Sequence, residues 1–225
     1  YRRLMTRICV VGMGYIGLPT AVMLANAGYH VKGVDVNNEV IDRINMGITS
    51  IREDRFNNLF KQAIGSGRFG VDKDVKNADV FIICVPTPFS KKDEKKTLIH
   101  VNEAAQNVLD VLKQGDLVIL ESTVPPGTTA GPLRKTLESK GMVAGKDFGL
   151  VYCPERLLPG NLVHEIVHND KIVGGIDKES AERGKEIYSS FVKGNIVTTD
   201  ATTAEFVKVA ENTYGAVNLG MVNEM

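Results

Sequence analysis

Apolar positions fall into short runs separated by stretches whose hydrophobic residues recur at helical spacing. Residues 7–11 (RICVV), 30–34, 79–85 (DVFIICV), 116–120 (DLVIL) and 148–152 predict strands, and the continuous runs 79–85 and 116–120 predict burial on both faces. Helices are predicted over 18–27, 38–46, 56–64, 101–112, 128–140 and 179–191, with further strands at 171–174 and 195–198. Residues 89–97 (FSKKDEKKT) are polar and charge-dense, which predicts a surface loop. Strands alternating with helices predict an α/β fold, a doubly wound parallel sheet covered on both faces. From Thr203 onward Phe206, Ala210, Val217 and Met221 recur at helical spacing, with Tyr214 among them, and no Gly, Pro or Asn cap closes the pattern. The expected layout is one domain over residues 4–200 and the start of a long helix over 201–225. Because Tyr1 is not Met and Met225 falls inside a helical pattern, the chain is expected to be a fragment.

Composition narrows the classes. The 27 basic and 27 acidic side chains balance, so no charge excess invites nucleic acid or a membrane surface. Hydrophobic residues at 43% are enough to bury a core, and no apolar run reaches the roughly 20 residues of a membrane span. Three cysteines, Cys9, Cys84 and Cys153, lie far apart with no CxxC spacing, which fits neither a disulfide framework nor a zinc site. A cytoplasmic protein without a metal is the expectation.

The first strand runs into Gly12, Met13, Gly14, Tyr15, Ile16 and Gly17, a GxGxxG turn between strand and helix. Gly12 is expected to make the tight turn, Gly14 to admit a pyrophosphate, and Gly17 to let helix and strand pack closely. The helix N-terminus would present N–H groups to the phosphates. Asp35 ends the next strand, 18 residues past Gly17, where a carboxylate accepts hydrogen bonds from ribose hydroxyls and repels a 2′-phosphate. NAD is therefore the expected cofactor.

Ligands in such sheets lie outside the carboxyl ends of strands. Three later ends carry distinctive residues: Val85, Pro86, Thr87 and Pro88, expected beside the nicotinamide; Glu121, Ser122 and Thr123 before Val124, Pro125, Pro126 and Gly127; and Cys153, Pro154, Glu155 and Arg156. Each also reads as an ordinary loop start. On the last helix Glu205, Lys208 and Asn212 share one face, so Lys208 and Asn212 can aim at one target. A solvated face with a Glu205–Lys208 pair fits the same spacing.

These features together resemble the UDP-glucose/GDP-mannose dehydrogenase family. The carriers are the glycine turn with Leu18, Pro19, Thr20 and Ala21, then Asp35, INMG at 44–47, VPTP at 85–88, STVPPGT at 122–128, Pro154 with Glu155, and Lys208 with Asn212. The resemblance covers essentially the whole chain and implies a Rossmann-like domain followed by a central helix that builds a dimer. Residues 153–161 and 168–171 are similar to the branch oxidising UDP-N-acetylmannosamine, with UDP-N-acetylglucosamine the close alternative. UDP-glucose enzymes tend to carry a second carboxylate where Pro159 stands, which argues against that sugar. The family's reaction is a four-electron oxidation of the sugar C6 to a carboxylate in nucleotide-sugar and polysaccharide biosynthesis, with two NAD⁺ as acceptors and a cysteine thioester on the way.

By this resemblance the site residues take roles. Val85, Pro86, Thr87 and Thr123 would lie along the cofactor, and Thr123 would also hold a water or the substrate oxygen. Glu155 would activate water or act as base, Lys208 and Asn212 would stabilise the oxyanion, and Arg156 and Leu157 would line the substrate. The family's nucleophilic cysteine follows the central helix, so the chain is expected to bind NAD without turning over. Two rivals share parts of the pattern: a 6-phosphogluconate or 3-hydroxy acid dehydrogenase, and a non-catalytic NAD-binding redox sensor.

Overall fold

A computed structural model describes residues 6–88, 98–157 and 160–225. The predicted loop 89–97 and the position of Pro159 lie outside them, as do residues 4 and 5 of the expected domain. In chain order the elements are β1 (Arg7–Val11), α1 (Gly17–Asn26), β2 (His30–Val34), α2 (Asn38–Asn45), α3 (Asp54–Gly65), β3 (Phe69–Asp72) and β4 (Val80–Ile83). They continue as α4 (Ile99–Leu109), β5 (Leu117–Leu120), α5 (Arg134–Leu137), β6 (Gly149–Tyr152), α6 (Leu162–His168), β7 (Lys171–Gly175), α7 (Lys178–Tyr188), β8 (Ile196–Asp200) and α8 (Ala201–Glu224).

The eight strands form one sheet in the order β3-β2-β1-β4-β5-β6-β7-β8. Its first six positions are the 3-2-1-4-5-6 order of dinucleotide-binding sheets. Side chains alternate across it. Ile8 and Val10 enter one core layer with Leu24, Phe56 and Phe60, while Cys9 and Val11 enter the other with Phe81, Val118 and Leu133. That two-sided burial is why the central strands are apolar at every position.

Four features depart from the sequence reading. The sheet is mixed, because β7 runs antiparallel to β6 while β8 is parallel to β7. The connection after β6 contains α6 (Leu162–His168). The Glu53 carboxylate accepts hydrogen bonds from Leu162 N (2.7 Å) and Val163 N (3.0 Å), capping α6 at the carboxyl end of the sheet. Strand β7 then pairs antiparallel with β6, Tyr152 opposite Gly174 and Val151 opposite Gly175. Helix α6 itself has no counterpart in the sequence reading. Strand β3 was also not anticipated, since four residues behind Gly65, Ser66 and Gly67 carry too little pattern. The helix predicted over 128–140 is a five-residue π-helical turn, Thr129–Leu133, leading into α5. Pro132 inside that turn lacks an N–H donor and breaks the regular ladder.

Helix α8 starts directly after β8, its N-terminus capped by the Asp200 carboxylate, which accepts from Thr203 N at 2.9 Å and Thr203 Oγ1 at 2.6 Å. Of its 24 residues Ala201, Ala204, Glu205 and Lys208 are buried, and Phe206, Tyr214, Val217, Leu219, Met221 and Val222 are exposed. Among the described residues no helix is long and apolar enough to cross a membrane.

Candidate active site

The glycine-rich turn is built as its spacing demands. Gly12 has φ +98°, and a Cβ there would stand 2.6 Å from the Cys84 carbonyl oxygen. A Cβ on Gly17 would meet Gly12 O at 1.8 Å, so the turn closes on α1 only without a side chain. Around Gly14 nothing lies within 4 Å of the corresponding position, which leaves its backbone open to a ligand. No side chain caps α1 at Ile16, so the positive end of the helix faces outward. Asp35 receives Met13 N at 2.9 Å on Oδ2 and Asn37 N at 2.9 Å on Oδ1. A carboxylate offers about four lone-pair positions, so acceptor capacity remains for ribose hydroxyls.

One cleft of about 950 Å³ runs along the carboxyl ends of the strands. Gly12, Gly14, Tyr15, Ile16 and Asp35 line one part of it, and Val85, Pro86, Thr87 and Thr123 the next. Glu155, Arg156, Leu157, Lys208 and Asn212 line the remainder. Two residues assigned to the cofactor stand behind this wall. Met13 is buried, its sulfur covering Gly33, and Gly17 is fixed against Gly12. They shape the turn, and only the Met13 backbone is engaged, through Asp35.

The loops along the cleft are tied to one another. Thr87 Oγ1 donates to Thr123 O at 2.8 Å, and Ser122 Oγ donates to Val85 O at 2.7 Å. Lys208 Nζ donates to the Glu155 carbonyl oxygen at 2.7 Å. Burial lowers the Lys208 pKa from its ordinary value, a pull that Glu211 opposes. Arg156 reaches across to Glu211 Oε1 at 2.8 Å, joining the segment after β6 to α8. The solvated Glu205–Lys208 pair does not form. Glu205 is fully buried, and its carboxylate accepts from Gly127 N (2.5 Å) and Thr129 N (2.7 Å), clamping the proline turn.

The model of the UDP-glucose/GDP-mannose dehydrogenase family, NAD binding domain, matches residues 6–192. The chain belongs to this family. A UDP-N-acetyl-D-mannosamine dehydrogenase of Methanococcus aeolicus is 49% identical over 97% of this chain and 49% of its own length. The structure of a UDP-D-ManNAc dehydrogenase from Pyrococcus horikoshii superposes with TM-score 0.92 at 44% identity, covering 97% of this chain and 52% of that one. An NDP-N-acetyl-D-galactosaminuronic acid dehydrogenase of Ralstonia nicotianae is 40% identical over 97% of this chain and 53% of its own length. The chain thus spans about half the length of the curated relatives it matches.

For a member of this dehydrogenase family the cofactor is NAD, and the turn, the uncapped α1 and Asp35 fit it. Beneath the cleft lies a polar network that the sequence reading missed. Glu155 Oε2 pairs with Lys171 Nζ at 2.5 Å, both side chains 3–4% exposed. Lys171 Nζ sits 4.7 Å from the centre of the Tyr188 ring. Tyr188 Oη donates to Glu121 Oε1 at 2.5 Å, and Thr20 Oγ1 and Cys84 Sγ each donate to Glu121 Oε2 at 3.1 Å. Burial pushes the Lys171 pKa down, but the adjacent Glu155 carboxylate, with Glu121 behind it, outweighs burial and holds it above the ordinary value. Burial raises Glu121 and takes Tyr188 well above the phenol range. A lysine opening an apolar strand was the available signal for Lys171, but its partner follows only from the antiparallel register. Glu165, which no sequence pattern singled out, and Asn169, from the segment 168–171, also line the cleft.

The three cysteines share one environment. All are buried, and burial pushes Cys9 and Cys153 up to about 12 and Cys84 well above its ordinary value. Among the described residues no group of three or more His, Cys, Asp or Glu is placed to hold a metal.

Proposed function

We propose that the intact protein oxidises C6 of UDP-N-acetylmannosamine to the uronic acid. The observation that carries this reading is the meeting of Thr123, Glu155, Lys208 and Asn212 with the NAD turn along one cleft. When bound, NAD supplies the electron acceptor, two molecules for each sugar. Thr123, exposed at the cleft, holds the substrate oxygen or a water near the reacting carbon. Lys208 and Asn212 aim a cation and an amide donor at the oxyanion that develops there. Glu155 withdraws a proton from the water that hydrolyses the thioester. Burial keeps the chain's own thiols protonated, so the thioester calls for a thiol supplied from outside these residues. The exposed apolar side chains of α8 from Phe206 to Val222 support self-association through that helix in the intact protein.

A second reading, another UDP-N-acetylhexosamine, draws support from the 40% identical galactosaminuronic acid enzyme. The deciding experiment gives the intact protein NAD⁺ and, separately, UDP-N-acetylmannosamine, UDP-N-acetylgalactosamine, UDP-N-acetylglucosamine and UDP-glucose. The proposal expects the highest kcat/KM with the first. A higher value with any other sugar reassigns the substrate, and no NADH with any of them removes the enzymatic reading.

A further inference from the structure

We propose that Lys171 is a positioning residue that holds the Glu155 carboxylate in its working orientation, a role that rests on Glu155 activating water in the proposed reaction. The pairing follows from topology. Strand β7 lies antiparallel to β6, with Val151 opposite Gly175 and Tyr152 opposite Gly174. Continuing that register beyond β6 sets Glu155 opposite Lys171, so the reversal of one strand faces a carboxylate with an ammonium.

Each oxygen of Glu155 then accepts one hydrogen bond and keeps a lone pair for a water. Oε2 takes Lys171 Nζ at 2.5 Å, and Oε1 accepts the Arg156 N–H at 2.9 Å. The backbone of the same residue is held by Lys208 Nζ on its carbonyl oxygen. One lysine therefore fixes the main chain of Glu155 and the other its carboxylate. The Lys171 ammonium is itself aimed, lying over the Tyr188 ring while the Tyr188 hydroxyl is anchored on Glu121. Glu121 and Cys153 are the other titratable groups near it; burial keeps the Cys153 thiol neutral, and the hydrogen bond to the ammonium is made by Glu155.

A buried ion pair stabilises a fold poorly, because desolvating two charges offsets their attraction. Two apolar side chains would join β6 to β7 as well. What the ion pair adds is a carboxylate with one allowed orientation at the wall of the cleft.

The test is a mutant cycle in the intact protein, with NAD affinity measured on every variant. Lys171→Met is expected to lower kcat by about a hundredfold, the scale of a lost general base. KM for the sugar and the NAD dissociation constant are expected to stay within about twofold, and Lys171→Arg to recover most of kcat. Removing one charge leaves the other buried and unpaired, so the double variant Glu155→Gln with Lys171→Met keeps the question open to measurement if Lys171→Met alone does not fold. If Lys171 acts through Glu155, the double variant is no slower than Glu155→Gln. A double variant at least tenfold slower than Glu155→Gln, or a folded Lys171→Met with unchanged kcat, overturns the role. A wild-type protein that makes no NADH with any UDP-sugar instead overturns the proposed function, and this role with it.

Discussion

Gly12 and Asp35 show how far single residues determine the cofactor end of the cleft. Gly12→Ala forces a side chain to φ +98° and against the Cys84 carbonyl at 2.6 Å, costing roughly 1–3 kcal/mol for the backbone alone. Its expected result is a lower unfolding midpoint together with weaker NAD binding. Asp35→Asn keeps an acceptor for only one of the two backbone donors, Met13 N and Asn37 N, and loses the carboxylate charge expected to meet the ribose. NAD affinity, read by calorimetry, is expected to fall roughly tenfold while discrimination against NADP relaxes. Lys208→Ala is expected to leave NAD affinity within about twofold and reduce turnover ~10²–10³-fold, the cost of one oxyanion donor. Unchanged turnover would remove Lys208 from the chemistry. The glycine turn, Asp35 and the Lys208–Asn212 spacing were legible because each is a local pattern. Glu205 was not, since its partners, Gly127 and Thr129, are remote in sequence and only the fold brings them together.

Elements with strong patterns were legible in the same way. The buried strands β1, β4 and β5 announce themselves as apolar runs, whereas β3 is four residues long and α6 seven. The direction of β7 was illegible for a different reason. Nothing local in the strand marks its direction, and the helix before it is tied to Glu53, more than a hundred residues upstream, a contact no window along the chain contains. Capping also gives α8 a pH dependence. Hydrogen bonds from Thr203 lower the Asp200 pKa below 3.8. The contribution of this cap is therefore fully present above the unfolded-state value and lost as pH falls through the lower folded one. Thermal melts from neutral pH to about pH 3 are expected to show a drop in midpoint that is smaller in Asp200→Asn.

At the scale of the whole molecule, the described surface joins an NAD turn to residues suited to oxyanion and water chemistry, while its own thiols are buried and held protonated. Residues 1–225 alone are accordingly expected to bind NAD⁺ and to form no NADH with UDP-sugars. Sustained turnover by these residues would place the nucleophile among Cys9, Cys84 and Cys153. The fold class was readable from alternating strands and helices, and the cofactor from one turn and one acid. Which side chains meet across the cleft was not, because that depends on how six parallel strands and two reversed strands bring their ends together. The central claim is a four-electron oxidation at this cleft, and its most direct test counts NADH formed by the intact protein from limiting UDP-N-acetylmannosamine in excess NAD⁺. Two NADH per sugar is the predicted result. One NADH per sugar, with the aldehyde accumulating, would contradict it.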